Sequence, residues 1–125
     1  MSAIRLKRVY DPPEKADGAR VLVDRLWPRG LARARAGIDL WLKDAAPSTA
    51  LRQWFGHRPE RWEEFSRRYE AELAGNEAAL APLRELLARG TVTLLFAAHD
   101  AERNNAVVVA RFLGRAAPGR DLQEM

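Results

Sequence analysis

The sequence predicts a small three-layer α/β domain, a mostly parallel sheet flanked by helices. Two short apolar runs, Val21-Leu22-Val23 and Leu94-Leu95-Phe96-Ala97-Ala98, read as buried strands. Three stretches with helical spacing lie between them, and a fourth follows the second run. Strands and helices in this order bury both kinds of apolar surface when the helices lie against a parallel sheet. The 125 residues contain no internal repeat, low-complexity tract or linker. Residues 1–114 therefore read as one domain and residues 115–125 as a frayed C-terminal tail.

Each element has a local reason. Residues 4–10 put Ile4 and Leu6 on one face and Arg5 and Lys7 on the other, the alternation of a half-buried strand. Asp11-Pro12-Pro13 ends it, since proline lacks the ladder donor and fixes φ. A polar loop runs to Gly18, and the strand at residues 21–23 stops at the turn signal Trp27-Pro28-Arg29-Gly30. Ser48 precedes Leu51, Trp54 and Phe55, so its hydroxyl can cap a short helix. Pro59 opens a second helix, where a missing N–H costs nothing, and Trp62, Phe65, Tyr69 and Leu73 form its apolar stripe. Gly75 and Asn76 separate it from a third, which carries Leu80, Leu83, Leu86 and Leu87 and closes at Gly90. Pro82 either kinks this third helix or marks its true first turn. Residues 91–98 end without alternation, as a central strand covered on both faces would. Asn104 can cap a last helix that carries Val108, Val109, Phe112 and Leu113 and ends at Gly114.

Composition closes off several classes of function. At 47% hydrophobic and 30% charged residues the chain is an ordinary globule, neither disordered nor collagen-like. No apolar run approaches the roughly 20 residues needed to span a bilayer, so no membrane partner is expected. The first residues lack the apolar core of a secretory signal, and a cytoplasmic location is expected. Without cysteine there is no disulfide, thiolate nucleophile or cysteine-ligated metal. His57 and His99 are too few for a zinc site unless carboxylates complete it, so neither metal nor cofactor is expected. The net charge of +4 is unevenly placed: residues 1–37 carry nine basic and four acidic side chains, whereas residues 90–125 balance at four each. Eighteen arginines against three lysines, beside 22 alanines, read as a coding habit of GC-rich DNA. The clustering has no such explanation.

In open α/β sheets ligands bind beyond the carboxyl ends of the strands. One such end is Asp24-Arg25-Leu26-Trp27-Pro28-Arg29-Gly30, and the other is His99-Asp100 with Asn104-Asn105. If the two strands are parallel, both ends open on one edge. Arg25 and Arg29, beside the N-terminus of the last helix, would then suit a phosphate or carboxylate. His99 with Asp100 could act as a general base and its orienting carboxylate, and Asp24 is a further catalytic candidate. Each has a structural alternative: an ion pair of Asp24 with Arg25 or Arg29, packing for Trp27, a helix cap for Asn104, and a solvated helix boundary for His57. No glycine-rich phosphate loop, metal-binding His-Glu helix or nucleophile elbow is present.

These segments resemble a known family. The run from Val21 through Gly30, then Trp41-Leu42-Lys43-Asp44 with Ala46-Pro47-Ser48, and Thr93 through Asp100 with Asn104-Asn105-Ala106 are similar to the YeaO-like family of uncharacterised bacterial proteins, domain of unknown function 488. The likeness covers roughly residues 4–113 and implies a small α/β domain with no established activity. Lys43, from the second motif, joins Asp24, Arg25, Trp27, Arg29, Asn104 and Asn105 as a candidate ligand-binding residue. The chain departs from the family pattern at His99, where lysine is expected, and at Asn105, where histidine is usual. More distant members bear a cysteine at the end of the last strand and a Cys-His-Arg before the last helix. Ala97 and Asn104 to Ala106 stand there instead, so thiol chemistry does not carry over.

Three functions follow as expectations. The first is binding of a small phosphate- or carboxylate-bearing ligand at the strand ends, with or without chemistry. The second is a nucleic-acid-binding or regulatory module that uses the basic N-terminal third. The third is a protein-interaction domain; the oligomeric state stays open.

Overall fold

A computed structural model describes residues 3–115. Its strands are β1 (Ile4–Arg8), β2 (Ala19–Leu22), β3 (Leu40–Trp41) and β4 (Val92–Phe96). Its helices are α1 (Arg33–Ala36), α2 (Thr49–Phe55), α3 (Trp62–Ala74), α4 (Glu77–Arg89) and α5 (Asn105–Arg115). The four strands form one parallel sheet in the order β1-β4-β2-β3, the α/β architecture expected from the sequence. Its last strand lies in the middle, which is why all five residues of β4 are buried.

Alternation along the strands divides the core. Val92, Leu94 and Phe96 join Ile4, Val21 and Val23 in one large cluster with the apolar faces of α2, α3, α4 and α5. Leu95 turns the other way and packs with Val9 and Leu22 beneath Trp27, Ile38 and Trp41. That second covering layer is thin, an irregular segment whose helix, α1, is a single turn.

The amino-terminal end of this second face is polar. Asp17, wholly buried, accepts from Arg20 at 2.7 Å, from Lys7 at 3.2 Å and from the Glu14 N–H at 3.0 Å. Arg5 stands 3.6 Å from the same carboxylate, and Arg20 also donates to the carbonyls of Gly37 and Ala36. The turn into β2 passes through Gly18 at φ 63°, where a Cβ would meet the Thr91 carbonyl oxygen at 2.2 Å.

Several expectations change. The first strand ends at Arg8 rather than Tyr10, and because β1 is an edge Leu6 is exposed. The run at residues 21–23 begins earlier, at Ala19, and ends at Leu22. β3 and α1 were not expected; two residues and one turn are too short to show a period. Ser48 caps α2 by accepting the Leu51 N–H at 3.2 Å, and Glu72 of α3 takes both its N–H and its hydroxyl. Pro59 opens a 3₁₀ turn that runs into α3. Pro82 lies in the second turn of a helix that starts at Glu77, so it does not mark the first. Gly114 does not end α5, which runs on to Arg115, and residues 116–125 of the expected tail lie outside the described residues.

Candidate functional site

A cavity of about 660 Å³ opens beyond the carboxyl ends of β2 and β4. Parallel pairing of the two strands brings both sequence-predicted segments to its rim. Asp24, Arg25, Trp27 and Arg29 line it from one side, and His99, Asp100, Asn104 and Asn105 from the other.

Asp24 holds the two sides together. Its Oδ2 accepts the Ala97 N–H at 3.0 Å and its Oδ1 accepts the Asn105 Nδ2 at 2.9 Å. The carboxylate thus bridges the end of β2, the end of β4 and the first residue of α5. It makes no ion pair with Arg25 or Arg29, so that structural alternative is set aside among the described residues. Burial pushes its pKa above the ordinary carboxylate value, against the opposing pull of the Ala97 N–H, Asn105 and His57.

The arginines are freer. Arg25 is half-buried, reaches the Pro47 carbonyl only at 3.5 Å, and keeps a buried Nε without a partner. Arg29 is exposed, and its backbone carbonyl accepts the Tyr10 hydroxyl at 2.9 Å. Trp27 is packed in place: its Nε1 donates to the Leu31 carbonyl at 2.7 Å, its ring meets Trp41 edge-on, and Arg33 covers it at 4.4 Å. Lys43 is not brought to the cavity. Its ammonium sits 5.0 Å from the Trp41 ring centroid, because the 3₁₀ turn that carries it follows β3 at the sheet edge.

The second segment is mostly a built turn. Asp100 accepts the N–H groups of Glu102 at 2.9 Å and Arg103 at 3.1 Å, and pairs with the Arg103 guanidinium at 3.2 Å. The Glu102 N–H leads these contacts in holding its carboxyl below the ordinary value, over the opposing effect of burial. The carboxylate is therefore committed to its own loop and does not orient His99, which is exposed. Asn104 caps α5 by accepting the Val107 N–H at 3.1 Å and ties back to the Asp100 carbonyl at 2.9 Å. That cap occupies one of the N–H groups that an anion at a helix start would use.

Sequence reasoning missed part of the lining. Arg52 of α2, Arg103, Phe55 and Phe65 all face the same space. Helical spacing assigned the two phenylalanines to the core, which they also serve: both are buried and stack at 4.3 Å. His57 is the exposed helix-boundary residue expected, yet it too lines the cavity. It follows Gly56 in the left-handed region, at φ 58° after 54°, and turns the chain back at the end of α2. The helix boundary at His57 was legible; nothing in the sequence signalled where its side chain would face.

Four arginines and two aspartates thus share one cavity, and one aspartate is paired with Arg103. Among the described residues no group of three His, Asp or Glu side chains could hold a metal ion, and no helix is long and apolar enough to cross a membrane.

A family model described as "Inactive DUF488-N3 subclade" matches residues 3–124. The chain belongs to this family. Among curated proteins, relatives of the chain include an uncharacterized protein of Mycobacterium tuberculosis H37Rv, 46% identical over 110 residues, 88% of this chain and 92% of the relative. A Mycobacterium bovis protein matches to the same extent. The uncharacterized protein YeaO of Escherichia coli K12 is 42% identical over 110 residues, 88% of this chain and 96% of YeaO. No solved structure matches the chain.

Proposed function

We propose that this DUF488 protein binds a small phosphate- or carboxylate-bearing ligand in the cavity beyond β2 and β4. One observation carries the reading: Arg25, Arg29 and Arg52 line that cavity, and none of them pairs with a carboxylate among the described residues. A guanidinium offers two parallel donors to an oxyanion, and this geometry is wasted without one. Binding is what the observations support: Asp100 is committed to Arg103 and its own loop, Asn104 serves as a cap, and the matching family model is described as inactive.

The basic N-terminal third favours this reading over a broad nucleic-acid surface. Arg5, Lys7 and Arg20 surround Asp17, Arg8 bonds the Ala97 and Ala98 carbonyls, and Arg33 lies on Trp27. The cations left beside the cavity suit a compact anion.

Thermal-shift titration with inorganic phosphate, pyrophosphate and citrate tests the proposal. A ligand at about a hundred times its Kd stabilises the fold by about 2.7 kcal/mol, an easily read rise in Tm. The double variant Arg29→Ala/Arg52→Ala removes two exposed side chains and should abolish that rise while leaving the unliganded Tm in place. An unchanged rise in the double variant sinks the proposal.

A further inference from the structure

The cavity holds more ring surface than a bare anion can use. The chain has four phenylalanines, four tryptophans, two tyrosines and two histidines, and half of these rings gather on this one space. They are Tyr10, Trp27, Phe55, His57, Phe65 and His99. Phosphate or carboxylate alone is recognised by donors, and rings add nothing to it. At about 660 Å³ the cavity is also far larger than one oxyanion; clefts of about 300–1,000 Å³ hold whole organic ligands.

The walls are set in advance. Phe55 and Phe65 stack on each other with 19° between their planes and are 7% and 1% exposed, so they form a fixed apolar floor beneath the more open rings of Tyr10 and His57. Trp27 is locked by its hydrogen bond to Leu31 and by Arg33 across its ring. Rigid rings cost little entropy on binding and favour a flat partner. His57, held in the left-handed region, puts an imidazole at the same opening.

A third element lies beside rings and guanidinium groups. Each Asp24 oxygen already accepts one hydrogen bond and has capacity for another. An acceptor in a half-buried place selects a ligand with O–H or N–H groups, since an apolar group there would leave it unmatched.

Building on the anion-binding reading above, we infer that the ligand is a nucleotide, a nucleoside monophosphate or the equivalent part of a larger one. Its phosphate lies with Arg25, Arg29 and Arg52, its heterocycle lies against the ring wall, and a ribose hydroxyl or base N–H reaches Asp24.

Isothermal titration of the full chain tests this with the adenosine, guanosine, cytidine and uridine monophosphates, ribose 5-phosphate and inorganic phosphate. At least one nucleoside monophosphate should bind about tenfold or more tightly than ribose 5-phosphate, the gain expected of one base–aromatic contact. Phe55→Leu, which keeps apolar bulk, should lose that preference while retaining ribose 5-phosphate affinity. Should Phe55→Leu fold poorly, His57→Ala removes an exposed ring without touching the core and should reduce the same preference. If nucleotides bind no tighter than ribose 5-phosphate or inorganic phosphate, the nucleotide inference is overturned and anion binding stands. If none of the probes binds, both fail. Nucleotide affinity unchanged in Arg29→Ala/Arg52→Ala would place the nucleotide elsewhere and overturn the inference. Oligonucleotides that bind far more tightly than any mononucleotide would overturn it in favour of a polymer.

Discussion

Asp17→Asn should destabilise the fold by about 3 kcal/mol at neutral pH. The carboxylate has no solvent exposure and sits between Arg20 at 2.7 Å and Lys7 at 3.2 Å. Neutralising it strands Arg20, itself buried. Removing one partner of a buried pair costs about 3–5 kcal/mol. The lower end applies, because asparagine keeps one acceptor oxygen and Arg20 keeps the carbonyls of Gly37 at 3.0 Å and Ala36 at 3.2 Å. At about 4 °C per kcal/mol for a domain of this size, Tm should fall by about 12 °C. Urea unfolding and calorimetry on both proteins give the two figures independently. Burial raises the Asp17 pKa, but the Glu14 N–H, Arg20 and Lys7 together outweigh it and hold the carboxyl below its ordinary value. A depressed folded pKa gives stability that is present above the unfolded value, about 3.9, and lost as pH falls through the folded one. The gap between wild type and Asp17→Asn should therefore close in acid. A loss under about 1 kcal/mol at pH 7, the worth of a solvent-screened pair, would refute the reasoning.

Asp24 should behave with the opposite sign. Its folded pKa is raised, so wild type should gain stability relative to Asp24→Asn as pH falls through that value toward about 4, read by urea midpoints across the range. Gly18→Ala should cost more than Gly30→Ala, although both glycines have positive φ, at 63° and 75°. The first Cβ strikes the Thr91 carbonyl and the second meets nothing within 4 Å, so chemical denaturation should separate a loss above about 2 kcal/mol from one near 1 kcal/mol. Ser48→Ala removes the α2 cap together with the hydrogen bond that its hydroxyl donates to Glu72, and should cost about 1–2 kcal/mol in the same assay.

Much of the fold was legible because its signals are local. The Ser48 and Asn104 caps, the stripe from Trp62 to Leu73 and the unbroken apolar run in β4 each follow from a few neighbouring residues. What escaped was either too short to show a period, as with β3 and α1, or set by contacts distant in sequence. Asp24 illustrates the second case. Its place at a strand end was legible, but its partners Ala97 and Asn105 come from more than 70 residues away, through a sheet whose last strand inserts beside β2. Arg52 and Phe55 reached the cavity unannounced for the same reason, since α2 is oriented by Glu72 on α3 rather than by its own residues.

The linear cluster of positive charge resolves into two populations at opposite ends of β2. Arg20 stands on the strand with Asp17 and Lys7, where carboxylates and carbonyls meet every one of its donors that the sheet buries. Arg25 stands just past the strand's end, beside Arg29, with no carboxylate. Sequence proximity therefore overstated the charge available to a partner. If Arg25, Arg29 and Arg52 are the groups that meet an anion, no more than about three counterions' worth of charge is released, and log affinity for a single-stranded oligonucleotide should fall with log salt at a slope no steeper than about −3. Titrations with a single-stranded oligonucleotide from about 50 to about 300 mM salt measure that slope. A value near −6 or beyond would require cations from the Asp17 end as well, and would reinstate an extended nucleic-acid surface in place of a single cavity.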